Sequence, residues 1–179
     1  VKVITGERCE SGDLIVALRS SGVHSNGLTL ARKVFQNAGY TMKDKVPGLS
    51  GTVGEELLTP TEIYVKDILR IRDEYDPHGL IDITGGGLRN LLRMRKGLRY
   101  IIDDPVKPQT LFGKIAELGE VSEREMYQTF NMGMGFMIVA SEDDAESMIS
   151  DIGDAEIVGR VEKGNGVLYE PGNLLYENY

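Results

Sequence analysis

From Ser20 to Gly27 the chain reads Ser-Ser-Gly-Val-His-Ser-Asn-Gly. Hydroxyls, an amide, an imidazole and glycines are a set that binds anions, because the glycines let backbone N–H groups come close to a ligand. The segment lies between a strand-like run, Asp13 to Leu18, and a helical run, Leu28 to Phe35. A strand that feeds a glycine-bearing turn into a helix leaves the first helical N–H groups pointing outward with partial positive charge, a natural phosphate cradle. Ser25 and Asn26 can each cap that helix, so a well-capped turn and a phosphate loop are both open readings. For His24 the alternatives are turn packing and donation to an oxyanion.

The pattern recurs sixty residues on. Leu80 to Thr84 is short, apolar and β-branched; Gly85-Gly86-Gly87 follows, then Leu88 to Leu92 with helical spacing. Three glycines in a row are costly in backbone entropy and mark a place where the backbone passes very near something. A third cluster, Asn131-Met-Gly-Met-Gly135, precedes the apolar run Phe136 to Ala140. Three such sites predict a shared glycine-lined cleft. None has the Lys-Ser/Thr spacing of a P-loop and none is a G-x-G-x-x-G opening a helix, so neither nucleotide fingerprint applies.

Other chemistry is scarce. With His24, His78 and the single Cys9, no His/Cys metal cluster can be built. A serine triad would need one of the two histidines, and His78 reads as closing a turn after a helix. Cys9 reads as a turn residue, its thiol pKa raised by Glu7 and Glu10. Asp103-Asp104 could hold Mg²⁺, but before Pro105 they read as ending a strand, and the acidic run from Glu142 to Glu146 opens a helix. Arg93, Arg95, Lys96 and Arg99 form a basic cluster, either a solvated helix end or a draw for phosphate. Anion-binding loops with few acid–base groups read as part of an active site rather than all of one.

The elements that must hold these loops follow from composition and periodicity. The 179 residues, 41% hydrophobic, predict one domain with a substantial core. Twenty basic against 28 acidic residues give a net charge of −8, which argues against a nucleic-acid or anionic-membrane footprint. One cysteine excludes an internal disulfide framework, so an intracellular, cytoplasmic setting is expected; no apolar run reaches membrane-spanning length. The chain begins at Val1 with a strand-like Val1 to Ile4 and is expected to be cut from a longer protein. Strands are predicted over 13–18, 80–84, 98–103 and 135–140. Helices are predicted over 26–38, from Pro60 to near Tyr75, and over 88–94, 109–118, 124–129 and 142–152. Residues 47–54 read as a loop, 155–161 and 166–169 as a hairpin about Asn165-Gly166, and 174–179 as a short added element or a tail. The alternation predicts an α+β fold, a mixed β-sheet layered with helices.

Four segments carry a resemblance: GDLIVALRSSGVHSNGLTLARK from Gly12 to Lys33, LLTPTEIYVK from Leu57 to Lys66, HGLIDITGGGL from His78 to Leu88, and EMYQTFNMGMG from Glu125 to Gly135. In order and over nearly the whole chain, they resemble the C-terminal half of the aminoimidazole ribonucleotide synthetase (phosphoribosylformylglycinamidine cyclo-ligase) family. The resemblance implies a PurM-like C-terminal domain spanning 1–179, in a ligase of purine biosynthesis that closes an imidazole ring at the expense of ATP. It implies a phosphorylated small-molecule substrate, a homodimeric full-length protein, and ATP and Mg²⁺ held mainly by an N-terminal domain outside this chain. On that basis Ser21, Gly22, His24, Ser25, Asn26 and Gly27 are expected to hold phosphate or an oxyanion. Thr84, Gly85, Gly86 and Gly87 would form a second wall, and Thr129 and Asn131 a polar edge. Asp82 stands where the family usually has His, Gln128 where it usually has Arg, and the segment after Gly87 lacks the usual Glu-Asn-Ile-Pro-Arg. These departures support two alternatives, a non-catalytic or altered-substrate module and the neighbouring formylglycinamidine ribonucleotide synthetase.

Overall fold

The apolar run after Asp13 forms β1 (Leu14–Arg19), and Ile15, Val16, Ala17 and Leu18 are all buried. A strand buried without in–out alternation belongs in the middle of a sheet covered on both faces. The computed structural model, which describes residues 3–179, places it there. After β1 come helices α1 (Leu28–Asn37), α2 (Val53–Leu57) and α3 (Val65–Glu74), then β2 (Gly79–Asp82) and a 3-10 segment, Gly87–Arg93. β3 (Leu98–Ile102), α4 (Thr110–Gly119), α5 (Glu123–Thr129), β4 (Met134–Ala140) and α6 (Glu142–Asp151) follow, and β5 (Ala155–Lys163), β6 (Gly166–Tyr169) and β7 (Leu174–Tyr176) end the chain.

Among the described residues the strands make one seven-stranded sheet in the order β2-β4-β1-β5-β3-β6-β7. Among the described residues only β3 and β6 pair in parallel, so the sheet is mixed and the α+β expectation holds. On one face Ile15 and Ala17 join Phe35, Phe112 and Phe130 in the larger core; on the other Val16 and Leu18 meet Ile71, Ala145 and Met148. β4 runs antiparallel to both β1 and β2. The C-terminal ends of β1 and β2 and the start of β4 therefore share one edge of the sheet, where all three glycine clusters emerge.

Several expectations are corrected. The helix expected from Pro60 begins at Val65, and residues 58–64 form a non-helical strap. The strap is tied to the end of β1: the Ser21 hydroxyl donates to Pro60 O (2.7 Å) and the Tyr64 hydroxyl to Arg19 O (2.8 Å). Its apolar stripe is not one buried face, since Ile71 is in the core while Ile63 and Val65 are 74% and 61% exposed. The loop expected over 47–54 gives way to α2 at Val53, opened by a capping box: the Glu55 N–H donates to Thr52 Oγ1 (3.3 Å) and the Thr52 N–H to the Glu55 carboxylate (2.7 Å).

The hairpin about Asn165-Gly166 does not form, because β3 lies between β5 and β6. The chain steps round the start of β3, where the Gly164 N–H donates to Gly97 O, and β6 then runs beside β3. Of the strand expected at Val1 to Ile4, Val1 and Lys2 lie outside the described residues, and Val3 and Ile4 carry no strand. Cys9 is fully buried, and burial foremost, then Asp13 rather than Glu7 or Glu10, pushes its thiol up to about 11. Among the described residues no helix is long and apolar enough to cross a membrane.

Candidate functional site

Gly27, not Ser25 or Asn26, is the N-cap of α1, and no side chain caps the helix. Its φ of 74° is left-handed, and a Cβ there would overlap the ring of Phe130. Both constraints demand glycine, and they place the cap one residue later than Asn26. Ser25 is exposed and only approaches Thr61, Oγ to Oγ1 at 3.4 Å. The N–H groups of Leu28, Thr29 and Leu30 precede the first helical donor, Ala31, which bonds Gly27 O, so they are left for a ligand or water.

The rest of the 20–27 loop is held by protein groups. His24 is buried, and its Nε2 accepts the Ser21 N–H at 3.2 Å. That bond puts the proton of the neutral imidazole on Nδ1, so an oxyanion would have to be met there. Burial lowers the His24 pKa, with Asp82 and Glu62 pulling the other way. Asn131 is buried and works as a clamp: Nδ2 donates to Gly22 O (2.8 Å), and Oδ1 accepts from the Ser20 hydroxyl (2.9 Å) and the Gly133 N–H (2.9 Å). The 20–22 and 131–133 segments are thereby fixed to one another. Thr129 lies at the end of α5 with its hydroxyl bonded to Glu125 (2.7 Å), away from these loops' hydrogen bonds.

The triple glycine stands beside this loop. A Cβ on Gly85 would meet Asn26 Oδ1 at 2.9 Å, so the first two clusters are neighbours. Gly87, with φ 52°, is pressed against the carbonyls of Tyr127 and Phe130. Its N–H donates to Thr84 O (3.0 Å), and buried Asn90 closes the turn from Nδ2 to Gly87 O (2.7 Å) and Thr84 O (3.3 Å). Gly86 is buried under Tyr179, whose hydroxyl donates to Gly85 O at 3.0 Å. The third cluster joins through the Ile83 N–H donating to Gly135 O (3.0 Å), and Gly135 itself passes tightly under Tyr64 and His24.

Gly22, Gly27, Gly87 and Asn131 are thus structural by their contacts, while Ser25 and Gly85 are exposed and Asn26 is half-buried between them. Asn90, Gln109, Tyr64 and Tyr179 were not singled out by sequence reasoning. Gln109 donates to Ser20 O from another element, which no local motif signals. Tyr179 acts across the chain in the same way, whereas Asn90 closes its own turn onto Gly87 and Thr84.

Next to these loops a groove of about 360 Å³ is lined by Glu62, Tyr64, Ile68, Asp82 and Phe136. Partial burial raises the Asp82 carboxyl, with His24 and Arg93 opposing it. Among the described residues no group of three or more His, Cys, Asp or Glu could hold a metal ion. The chemistry of these groups suits binding and orienting an anion, and among the described residues the loops bring together no pair of carboxylates for acid–base work.

A family model described as AIR synthase related protein, C-terminal domain, matches residues 10–169. The phosphoribosylformylglycinamidine cyclo-ligase of Methanopyrus kandleri is 50% identical over 168 residues, covering 92% of this chain and 48% of the relative. That of Methanothermobacter thermautotrophicus is 47% identical, covering 94% of the chain and 51% of the relative. The chain spans about half the length of the curated relatives it matches. Among solved structures, thiamine monophosphate kinase from Aquifex aeolicus superposes with a TM-score of 0.62 at 15% identity, over 98% of this chain and 55% of that one. PurL from T. maritima, complexed with FGAR, gives 0.55 at 14% identity over 94% of this chain and 27% of that one. At such identities these two show a shared fold.

Proposed function

The chain belongs to the AIR synthase related family as its C-terminal domain, and from that premise we propose that it forms one wall of the active site of an ATP-dependent cyclo-ligase. The reaction is conversion of formylglycinamidine ribonucleotide to aminoimidazole ribonucleotide. ATP supplies the chemistry by phosphorylating the formyl oxygen, so that the amidine nitrogen closes the ring as phosphate leaves with that oxygen. This chain's residues bind and position the substrate. The free N–H groups at the start of α1, with the Ser25 hydroxyl and the Asn26 amide, hold a phosphate, and Gly85 lets it approach the second turn. Asn131 and Asn90 keep both turns in place. The described residues offer no metal cluster, so Mg²⁺ and most of the nucleotide fall to an N-terminal domain, in a homodimeric whole protein.

One observation carries this reading: the segments that resemble the cyclo-ligases are the ones that the fold gathers at a single edge of the sheet. The test joins this chain to the N-terminal half of the Methanopyrus kandleri relative and assays ATP-dependent formation of aminoimidazole ribonucleotide. Turnover is expected from the joined protein and none from these 179 residues alone. Turnover with formylglycinamide ribonucleotide and an ammonia source instead would favour the amidine synthetase. Activity in the isolated chain would overturn the shared cleft.

A further inference from the structure

Tyr179 lies past β7, yet its ring returns to the triple glycine at the far side of the 3-10 segment. The ring shuts Gly86 from solvent: a Cβ there would meet the Tyr179 hydroxyl at 2.8 Å. The guanidiniums of Arg89 and Arg93 sit 5.5 and 4.6 Å from the ring centroid, Arg93 bonds the phenol oxygen, and Arg89 Nε reaches Gly86 O at 3.4 Å. Among the described residues neither arginine has a carboxylate within ion-pair distance. In a chain of net charge −8, two guanidiniums converge on one glycine turn with Asp82 acting on Arg93 only from beyond ion-pair distance, and a neutral phenol is what they hold.

We infer that Arg89, Arg93 and the Gly85–Gly87 turn form a phosphate-binding site of their own, with Tyr179 as its displaceable cap. The inference rests on the proposed reading that this end of the sheet takes a phosphorylated ligand. It adds a site at Gly86, one residue on from Gly85 beside Asn26. A phosphate oxygen pairs with guanidinium through charge-assisted, two-pronged bonds, whereas a phenol ring offers only its quadrupole and one neutral oxygen. The anion therefore outcompetes the ring. Tyr179, 56% exposed, can swing off into water with little burial to lose. Unoccupied, the cap shields Gly86 and keeps the two cations apart; occupied, the cations turn onto the ligand and the ring leaves.

The test titrates inorganic phosphate and pyrophosphate into the 179-residue chain, with binding followed by calorimetry and the Tyr179 ring by NMR of tyrosine-labelled protein. Tyr179→Phe assigns the ring signal, and thermal melts confirm that each variant is folded. Wild type is expected to bind with movement of the Tyr179 signal toward a solvent-exposed shift. Arg93→Gln, and separately Arg89→Gln, should weaken binding about tenfold, as loss of a charged hydrogen bond does. Tyr179→Ala should tighten it about threefold, since the anion no longer competes with a cation–π contact. Binding unchanged in both arginine variants, or a Tyr179 signal that stays still at saturation, overturns the site. Should binding persist in the arginine variants but fall in Ser25→Ala, the proposed phosphate loop stands and this second site is rejected. If neither set responds, both are rejected as phosphate sites.

Discussion

Gly27 and the Gly85–Gly87 turn have the same local sequence logic, strand to glycine to helical run, and meet opposite surroundings. At Gly27 the close neighbour is the ring of Phe130, and the hydroxyls of Ser20 and Ser21 and the imidazole before it are spent on holding the loop to Asn131, Pro60 and Ser21. What remains open there is the exposed Ser25 hydroxyl and the first backbone N–H groups of α1. At the triple glycine only Gly87 is wedged against fixed carbonyls; Gly85 is exposed and Gly86 is covered by a side chain that can move. A glycine in a sequence thus reports that something comes near, without saying whether it is core, backbone or ligand. The immovable neighbours make fold, and the movable ones leave room for chemistry.

Gly87→Ala breaks the wedge most directly. The new methyl would run into the Tyr127 carbonyl, and α5 would have to shift to admit it. A stability loss of about 3 kcal/mol or more is expected from the sum of backbone strain and overpacking, read from urea midpoints. Gly39→Ala is the control: φ is also positive, at 86°, but nothing lies within 4 Å of the new Cβ. It should cost only about 1 kcal/mol, the price of left-handed backbone for an L-residue. Similar losses at both positions would mean that the carbonyls yield and that the turn is not wedged.

Asn131→Ala comes next. It strands Gly22 O, the Gly133 N–H and the Ser20 hydroxyl in a buried place, and about 2–4 kcal/mol should be lost. Thr129→Ala, which forfeits only a hydroxyl bond to Glu125 on its own helix, should stay within about 0.5 kcal/mol. Urea denaturation of the pair decides whether Asn131 is a clamp or merely another polar residue at the edge.

Most of the strands were legible because β1, β3 and β4 are apolar runs bounded by turn residues, and α1, α4 and α6 have amphipathic or capped starts. The convergence of the three glycine clusters followed from their positions after or before such strands. Pairing was not legible: that β3 intrudes between β5 and β6 depends on long-range contacts that an Asn-Gly dipeptide cannot report. The strap at 58–64 failed for a similar reason, since helical apolar spacing there loses to bonds with Arg19 O and from Ser21. The Thr52-x-x-Glu55 box, by contrast, is a local signal that the sequence carries for α2. Tyr179 had no local signal at all, because it reaches Gly85 from the other end of the chain.

The imidazole gives a smaller effect with a definite sign. Burial holds the His24 pKa below its ordinary 6.5, so the unfolded chain binds the proton more readily. The neutral-form contribution is fully present above the unfolded value and is lost as pH falls from about 6.5 toward the folded pKa. Below both values the dependence is flat. His24→Asn suits the backbone there, whose φ is 57°, because asparagine tolerates the left-handed region. Urea midpoints between pH 8 and 5 should fall less steeply in the variant than in wild type; parallel slopes would show that His24 is not the group responsible.

Ser25→Ala is expected to do least to stability and is the sharpest on function. A serine at an N-cap contributes about 0.5–2 kcal/mol, and sequence alone allowed Ser25 that role. The helix is capped instead by Gly27 without any side-chain bond, and Ser25 is exposed with only a 3.4 Å approach to Thr61. Its removal should therefore change stability by no more than about 0.5 kcal/mol, as for other exposed sites. In the joined enzyme, however, the hydroxyl is one of the few side-chain donors still free beside the α1 N–H groups, and its loss should raise KM for the phosphorylated substrate about three- to tenfold, the worth of one hydrogen bond. A stable variant with an unchanged KM would leave phosphate recognition to backbone alone at this turn. A destabilised one would restore Ser25 to the cap and make the two glycine turns more alike than their contacts indicate.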